Sequence, residues 1–322
     1  MNDTYINGTG RAVPKKILTN EDLTTIVETS DDWITSRTGI KQRHISVTET
    51  TLDLAYEAAQ KAIDNSSVTN KDIEMVIVAT VTPDHAFPGV ANLLQKKLGL
   101  NEIPTFDINA ACSGFIYALN LADKCIKSNA YKHILIIGAE TLTRLTDWSD
   151  RNTCVLFGDG AGAMVISPSS EPRILDIIVG SRSDDQLHLK CDNPDLKDPR
   201  VNHVSQQDHI HMNGREVFKF ATRVMPSTIE SLLERCDIPK ESLDLVVAHQ
   251  ANLRIIEKAS KDVDIPMDKM YQNIQNYGNT SAASVPIAID EAIERGALKR
   301  GMTFITVAFG GGFTYGGALI KF

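Results

Sequence analysis

The chain has 322 residues, room for about two domains at roughly 150 residues each. Its 42% hydrophobic and 23% charged residues, with scattered Pro and Gly, describe an ordinary globular protein rather than a disordered or collagenous one. Lys and Arg number 33 against 41 Asp and Glu, and the resulting net charge of −8 argues against non-specific binding to nucleic acid or to an anionic membrane. The five cysteines (Cys112, Cys125, Cys154, Cys191 and Cys236) include no CxxC pair, so neither a disulfide framework nor a zinc site is expected. The first residues, MNDTYINGTGRAVPKK, lack a basic-then-apolar leader, and no apolar run approaches the ~20 residues that span a bilayer. The expectation is a soluble, cytoplasmic protein without a metal.

In chain order, a helical period covers Asp53–Asp64, followed by a β-branched run at Met75–Val81, a helix over Val90–Leu98 and a strand at Pro104–Ile108. A helix at Ala111–Lys127 leads to strands at His133–Gly138, Ala163–Ser167 and Ile174–Val179. The stretch Asp184–His211 is polar and unpatterned, and its length predicts a loop lying over a site. Helices at Gly214–Arg235, Asn252–Lys261 and Ala282–Arg295 then alternate with strands at Leu245–His249, Phe304–Phe309 and Gly317–Lys321. Apolar runs alternating with helices predict an α/β fold with largely buried sheets.

An internal echo at an offset of 170 residues organises this pattern. The run from Glu74 recurs from Asp244, that from Ile134 recurs from Phe304, and Asn109-Ala110-Ala111-Cys112 aligns with Asn279-Thr280-Ser281-Ala282. The chain therefore reads as two similar α/β halves, residues 1–173 and 174–322, packed around a pseudo-twofold axis with equivalent loops converging.

Cys112 follows an apolar strand and opens an apolar helix. The unpaired N–H groups and dipole of a helix start favour a thiolate, which predicts a lowered thiol pKa. His249 ends the strand LDLVVAHQAN, and Asn279, the counterpart of Asn109, precedes a helix, so the repeat brings both towards Cys112. The other cysteines read as structural. A cysteine, a histidine and an asparagine serve two chemistries. In a Cys-His-Asn hydrolase the histidine takes the thiol proton, but the C-G-[SA]-C-[WY] signature is absent and a duplicated α/β chain is the wrong architecture. In an acyl-transfer condensing enzyme the cysteine carries an acyl thioester, while two neutral donors polarise a second thioester as carbon dioxide leaves.

The segments AACSGF around Cys112, HQANLRII from His249, GNTSAASVP around Asn279 and AFGGGFTYGGALIKF at the C-terminus carry a family resemblance, together with SDDWITSRTGI and GDGAGA. Jointly, and over essentially the whole chain, they resemble β-ketoacyl-acyl carrier protein synthase III. The resemblance implies the thiolase fold, two duplicated halves in five layers α-β-α-β-α, and a homodimer with no cofactor beyond its acyl-coenzyme A substrate. Cys112 would accept the acyl group, and His249 and Asn279 would support decarboxylation of malonyl-acyl carrier protein. The Cys112 and Gly311 N–H groups would form the oxyanion hole.

By the same resemblance, Trp33 and Arg151 would sandwich the adenine of coenzyme A, with Arg37 near the phosphates and Thr29 and Asn252 as polar contacts. Asn152 stands where many members carry glycine. Phe309 would line the catalytic end of the tunnel, and Phe87 would shorten the acyl pocket across the dimer. Because carrier protein is acidic, two basic helix faces are candidate docking sites: Arg215, Lys219 and Arg223, and Arg254, Lys258 and Lys261. A specialised condensing enzyme of secondary metabolism on the same fold is the alternative, and an intact Cys-His-Asn set argues against a non-catalytic relative.

Overall fold

The computed structural model describes residues 3–193 and 208–322. The first half runs β1 (Asp3–Ala12), β2 (Ile17–Thr19), α1 (Asp31–Thr38), β3 (Gln42–His44), α2 (Thr51–Asp64), β4 (Met75–Ala79), α3 (Val90–Lys97), β5 (Thr105–Ile108), α4 (Gly114–Lys127), β6 (Ile134–Thr141) and β7 (Asp159–Ser169). The second runs β8 (Ile174–Ser181), β9 (Leu189–Lys190), β10 (His211–Met212), α5 (Gly214–Arg235), β11 (Leu245–Ala248), α6 (Leu253–Val263), α7 (Ser284–Glu294), β12 (Thr303–Phe309) and β13 (Thr314–Lys321). One-turn helices lie between several of them.

Two main sheets follow one plan. The five-stranded sheet has the order β1-β7-β6-β4-β5 and the four-stranded sheet the order β11-β12-β13-β8. In each, a parallel pair is continued by two antiparallel strands. The 170-residue offset survives in the pairing itself: Met75 lies opposite Ile134, and Leu245 opposite Phe304. Where the first sheet has β5, the second has a single parallel bridge between Val246 and Met270.

The layers follow from strand alternation. Met75 and Ile77 of β4, Ile134 and Ile136 of β6, and Leu245 and Val247 of β11 point into a central core shared with α4 and α7. The opposite faces, Val76, Val78, Leu135 and Ile137, pack on α2 and α3, whereas Val246, Ala248, Ile305 and Val307 pack on α5 and α6. The order is thus helices, sheet, helices, sheet, helices, with α4 and α7 buried between the sheets. Local signals set the helix starts; Thr50 and Asp53 form a capping box at α2, and Asn213 caps α5.

Every strand and helix expected from the sequence is present, with shifted ends. The β2–β3 hairpin, α1 and the edge strand β1 were not anticipated. In β1 the polar, glycine-containing run DTYINGTGRA hides the alternation, and its Gly10 sits where a Cβ would meet the Ala58 carbonyl of α2 at 2.5 Å. Of the stretch Asp184–His211, residues 194–207 lie outside the described residues. Its two ends pair as β9 and β10, and the Leu189 carbonyl approaches Gly311.

Candidate active site

Cys112 stands beyond the carboxyl end of β5 in a 3-10 turn, Ala111–Ser113, that feeds α4 at Gly114. The single helix expected from Ala111 is broken there, because Ala111 adopts a φ of +46°, a left-handed conformation that a Cβ disfavours. Its counterpart Ser281, in the turn Ser281–Ala283 before α7, has a φ of +49°. An asparagine holds each kink: Ala111 N–H donates to Asn109 Oδ1 at 3.2 Å, and Ser281 N–H donates to Asn279 Oδ1 at 2.9 Å. Gly310 abuts the nucleophile turn so closely that a Cβ would stand 2.6 Å from Cys112 N. Its own N–H donates to the Thr314 carbonyl at 2.8 Å, and Gly311 lies beside Ala111.

The turn Ser281–Ala283 and the first residue of α7 tie the three chemical residues together. The Cys112 turn packs against the turn Ser281–Ala283, Ser281 N–H fixes Asn279, and Ser284 Oγ lies 2.5 Å from His249 Nδ1. Because Asn279 Oδ1 is engaged, its Nδ2 is the free end, a donor. Ser284 Oγ also accepts the Gln250 N–H at 3.4 Å; with the serine proton donated to His249 Nδ1, the neutral ring carries its own proton on Nε2. His249 is buried and packs edge-on against Phe309, with ring centroids 5.3 Å apart. Burial pushes its pKa down to about 3, so the imidazole is neutral.

The expected depression of the Cys112 thiol is not found. Enclosure of the sulfur pushes it up to about 11, with the nearby Glu140 charge adding to the rise, although Ser281 partly offsets both. Desolvation outweighs the helix start here. Glu140, at the end of β6, is 0% exposed and is pushed up to about 7 by burial. Its carboxylate accepts from Thr82 Oγ1 at 2.6 Å, from Val81 N–H at 3.1 Å and from Thr80 Oγ1 at 3.3 Å.

A cavity of about 330 Å³ is lined by Trp33, Arg37, Asn252, Arg254 and Arg215 among others. The guanidinium of Arg151 lies 4.8 Å from the centroid of Trp33 and that of Arg37 lies 4.6 Å from it. The slot expected between Trp33 and Arg151 is therefore closed by cation–π contact, since a ring inserted between two planes needs about 3.5 Å on each side. Arg37 stacks as well, rather than standing apart for phosphates. Asn252 is spent locally, capping α6 through Arg254 N–H and donating to the Arg37 carbonyl. Thr29 Oγ1 is buried without a partner among the described residues, a polar atom left for a ligand.

All six basic docking candidates are exposed on α5 and α6. Arg215 and Arg254 line the Trp33 cavity, whereas Lys219 pairs with Glu216 and Lys258 with Asp262. Phe87 is 86% exposed. Among the described residues no group of three or more His, Cys, Asp or Glu is arranged to hold a metal ion.

The N-terminal model of 3-oxoacyl-[acyl-carrier-protein] synthase III matches residues 106–183, and its C-terminal model matches residues 233–322. The β-ketoacyl-[acyl-carrier-protein] synthase III of Clostridium acetobutylicum is 48% identical over 322 residues, 100% of this chain and 99% of its own. The chain belongs to the β-ketoacyl-acyl carrier protein synthase III family. The solved synthase III of Aquifex aeolicus superposes with a TM-score of 0.93 at 45% identity, covering 99% of this chain and 100% of its own. That of Thermus thermophilus gives 0.92 at 37%, covering 98% of both. The fold is the thiolase fold, and the family is one of condensing acyltransferases.

Ser281 and Ser284, which hold Asn279 and His249, and the buried carboxylate Glu140 are residues of the candidate site that the sequence reading passed over. The two serines lie inside GNTSAASVP, and Ser281 is the 170-residue counterpart of the kinked Ala111. Glu140 is the carboxylate at the end of the apolar run ILIIGAET, and it is the counterpart of Gly310. Because Glu140 sits at about 7, above the ordinary 4.5, the folded state holds its proton longer than the unfolded state, and stability falls as pH rises from about 4.5 to 7. Glu140→Gln is therefore expected to stabilise the protein by about 1–3 kcal/mol at pH 8 and by nothing at pH 4. Denaturant unfolding at the two pH values checks this; an equal change at both would exclude the buried charge as its source.

Proposed function

We propose that the chain transfers a short acyl group, acetyl foremost, from coenzyme A to Cys112 and condenses it with malonyl-acyl carrier protein, initiating fatty acid synthesis. The reading rests on one observation above all: the Cys112 turn packs on the stretch Ser281 to Ser284, to which the imidazole and the amide are hydrogen-bonded. Cys112 sulfur attacks the acyl carbon, the oxyanion meets the Cys112 and Gly311 N–H groups, and coenzyme A leaves as its thiol. Malonyl thioester then loses carbon dioxide while its carbonyl oxygen takes hydrogen bonds from His249 Nε2 and Asn279 Nδ2. The resulting carbanion attacks the acyl-Cys112 carbon, and the β-ketoacyl-carrier protein leaves as the thiolate returns. No step requires a metal or a bound cofactor. Incubation with acetyl-CoA and malonyl-carrier protein should give acetoacetyl-carrier protein by intact mass; release of free acetate without a lengthened chain would favour the hydrolase.

Coenzyme A would enter at the Trp33 mouth, with Arg151 swinging off the indole to let adenine in and Thr29 supplying a hydroxyl. Carrier protein would dock on the α5 and α6 faces, with Lys219 and Arg254 as its main contacts. Lys219→Glu with Arg254→Glu should raise KM for malonyl-carrier protein about tenfold, with a steep dependence on salt, and spare acylation by acetyl-CoA. Equal damage to both substrates would remove the docking assignment. A homodimer fits the open edge of β5, where Phe106 is 39% exposed, and would let the exposed Phe87 reach the partner's acyl pocket. Among the described residues no helix is long and apolar enough to cross a membrane, which accords with a cytoplasmic enzyme.

A further inference from the structure

Arg43, in β3, is a buried cation to which the reaction above gives no role. It is 0% exposed, and among the described residues no Asp or Glu is ion-paired with it. Burial pushes its pKa down only to about 10, so it is charged at neutral pH. A cation without an anion is costly to keep in a core, and here its donors are spent on holding three separate segments. Nη1 donates to Asn20 Oδ1 at 2.9 Å and to the Leu18 carbonyl at 3.2 Å, and Nη2 donates to the Val155 carbonyl at 2.7 Å. Nε has no hydrogen-bond partner among the described residues.

Both arms lead to the site. Asn20, 1% exposed, donates from Nδ2 to Asp31 Oδ1 at 2.8 Å and to the Ile40 carbonyl at 2.7 Å, so it grips both ends of α1, the helix that carries Trp33. Val155 closes the one-turn helix Arg151–Cys154, whose Arg151 lies over the Trp33 ring. The residues after Val155 pair with Asn279. Asn279 N–H donates to the Leu156 carbonyl at 2.9 Å, Gly158 N–H donates to the Asn279 carbonyl at 3.0 Å, and Phe157 forms a parallel bridge with Asn279.

We propose that Arg43 is a positioning residue that sets Trp33, Arg151 and Asn279 in one frame, through Asn20 on one arm and Val155 on the other. A guanidinium suits this task because its planar fork meets acceptors from separate segments at once, whereas a lysine ammonium gathers its donors at one point. No bond is made or broken at Arg43. It acts by fixing where coenzyme A and the malonyl carbonyl meet their partners.

The inference rests on coenzyme A entry at Trp33 and on Asn279 as a donor, and the experiment separates it from both. Arg43→Lys keeps the charge, yet it should raise KM for acetyl-CoA and lower kcat for decarboxylation of malonyl-carrier protein, each about tenfold per Cys112 titrated with iodoacetamide. Asn20→Ala, which cuts only the arm to α1, should reproduce the rise in KM and spare decarboxylation. A merely structural role would reduce the titratable thiol and leave both constants per thiol unchanged; that result overturns the proposal, as does Asn20→Ala slowing both steps equally. Where Arg43→Lys fails to fold, Asn20→Ala decides alone, and an unchanged KM overturns the proposal. Trp33→Ala and Asn279→Ala test the functional reading itself, which fails if they spare KM for acetyl-CoA and decarboxylation respectively. Trp33 and Trp148 are the two tryptophans, so Trp33 fluorescence in a Trp148→Phe background reads the positioning without any substrate. Acrylamide should quench it more strongly in Arg43→Lys and Asn20→Ala than in the parent, and equal quenching overturns the frame.

Discussion

A Cys112→Ser enzyme is expected to form no acyl adduct with acetyl-CoA and to lose condensation by about 10⁴-fold or more. The geometry makes the loss specific. Ala111 is held in a left-handed kink, and Gly310 leaves room behind Cys112 N. A serine oxygen would occupy the same turn with far weaker acidity, so the fold survives while the attack does not. Decarboxylation of malonyl-carrier protein should continue in this variant, because His249 and Asn279 are held by Ser284 and Ser281 rather than by the cysteine. Intact mass for the adduct and carbon dioxide release for the second activity measure the two separately. An adduct on Cys112→Ser would remove Cys112 from its role, and loss of both activities together would mean that the turn itself had collapsed.

His249→Ala should give the converse pattern: acylation of Cys112 near the wild-type rate, with condensation lowered by about 10²–10³-fold, the usual loss for one preorganised donor to a developing oxyanion. Burial near a pKa of about 3 keeps His249 neutral, so its donor proton does not titrate between pH 5 and 8, and the decarboxylation step in wild type should be flat across that range. The sign for stability follows from the same burial. The unfolded chain protonates this histidine below about 6.5 and the folded chain does not, so wild type loses stability as pH falls from about 6.5 towards 3. His249→Ala should be less sensitive in that window. A variant that fails to acylate would show instead that His249 takes the thiol proton, as a hydrolase-type pair would require.

Much of the architecture was written in apolar periodicity. Buried parallel strands such as Met75–Ala79 and Leu245–Ala248 are continuous apolar runs because both faces are covered, and the repeat carried their pairing into both halves. β1 and α1 escaped because their residues are polar or small, and their positions depend on contacts with distant elements such as α2 and α6. At the site, Cys112, His249 and Asn279 were readable from residue type and from their places at strand and helix ends. Ser281, Ser284 and Glu140 were not, since serines are common at helix starts and a lone carboxylate ending a strand is usually solvated.

The sequence by itself determined the layered α/β arrangement, the twofold repeat, the chemical set of thiol, imidazole and amide, and the family those motifs denote. Only the tertiary structure decided the state of those groups, because protonation depends on what surrounds an atom rather than on its neighbours in the chain. A helix start argued for a thiolate, yet packing of both halves around the sulfur left a thiol near 11 beside a carboxyl near 7 and an imidazole near 3. Trp33 and Arg151 were legible as a pair, but their direct contact arises from a cation meeting an aromatic face over a separation of more than a hundred residues.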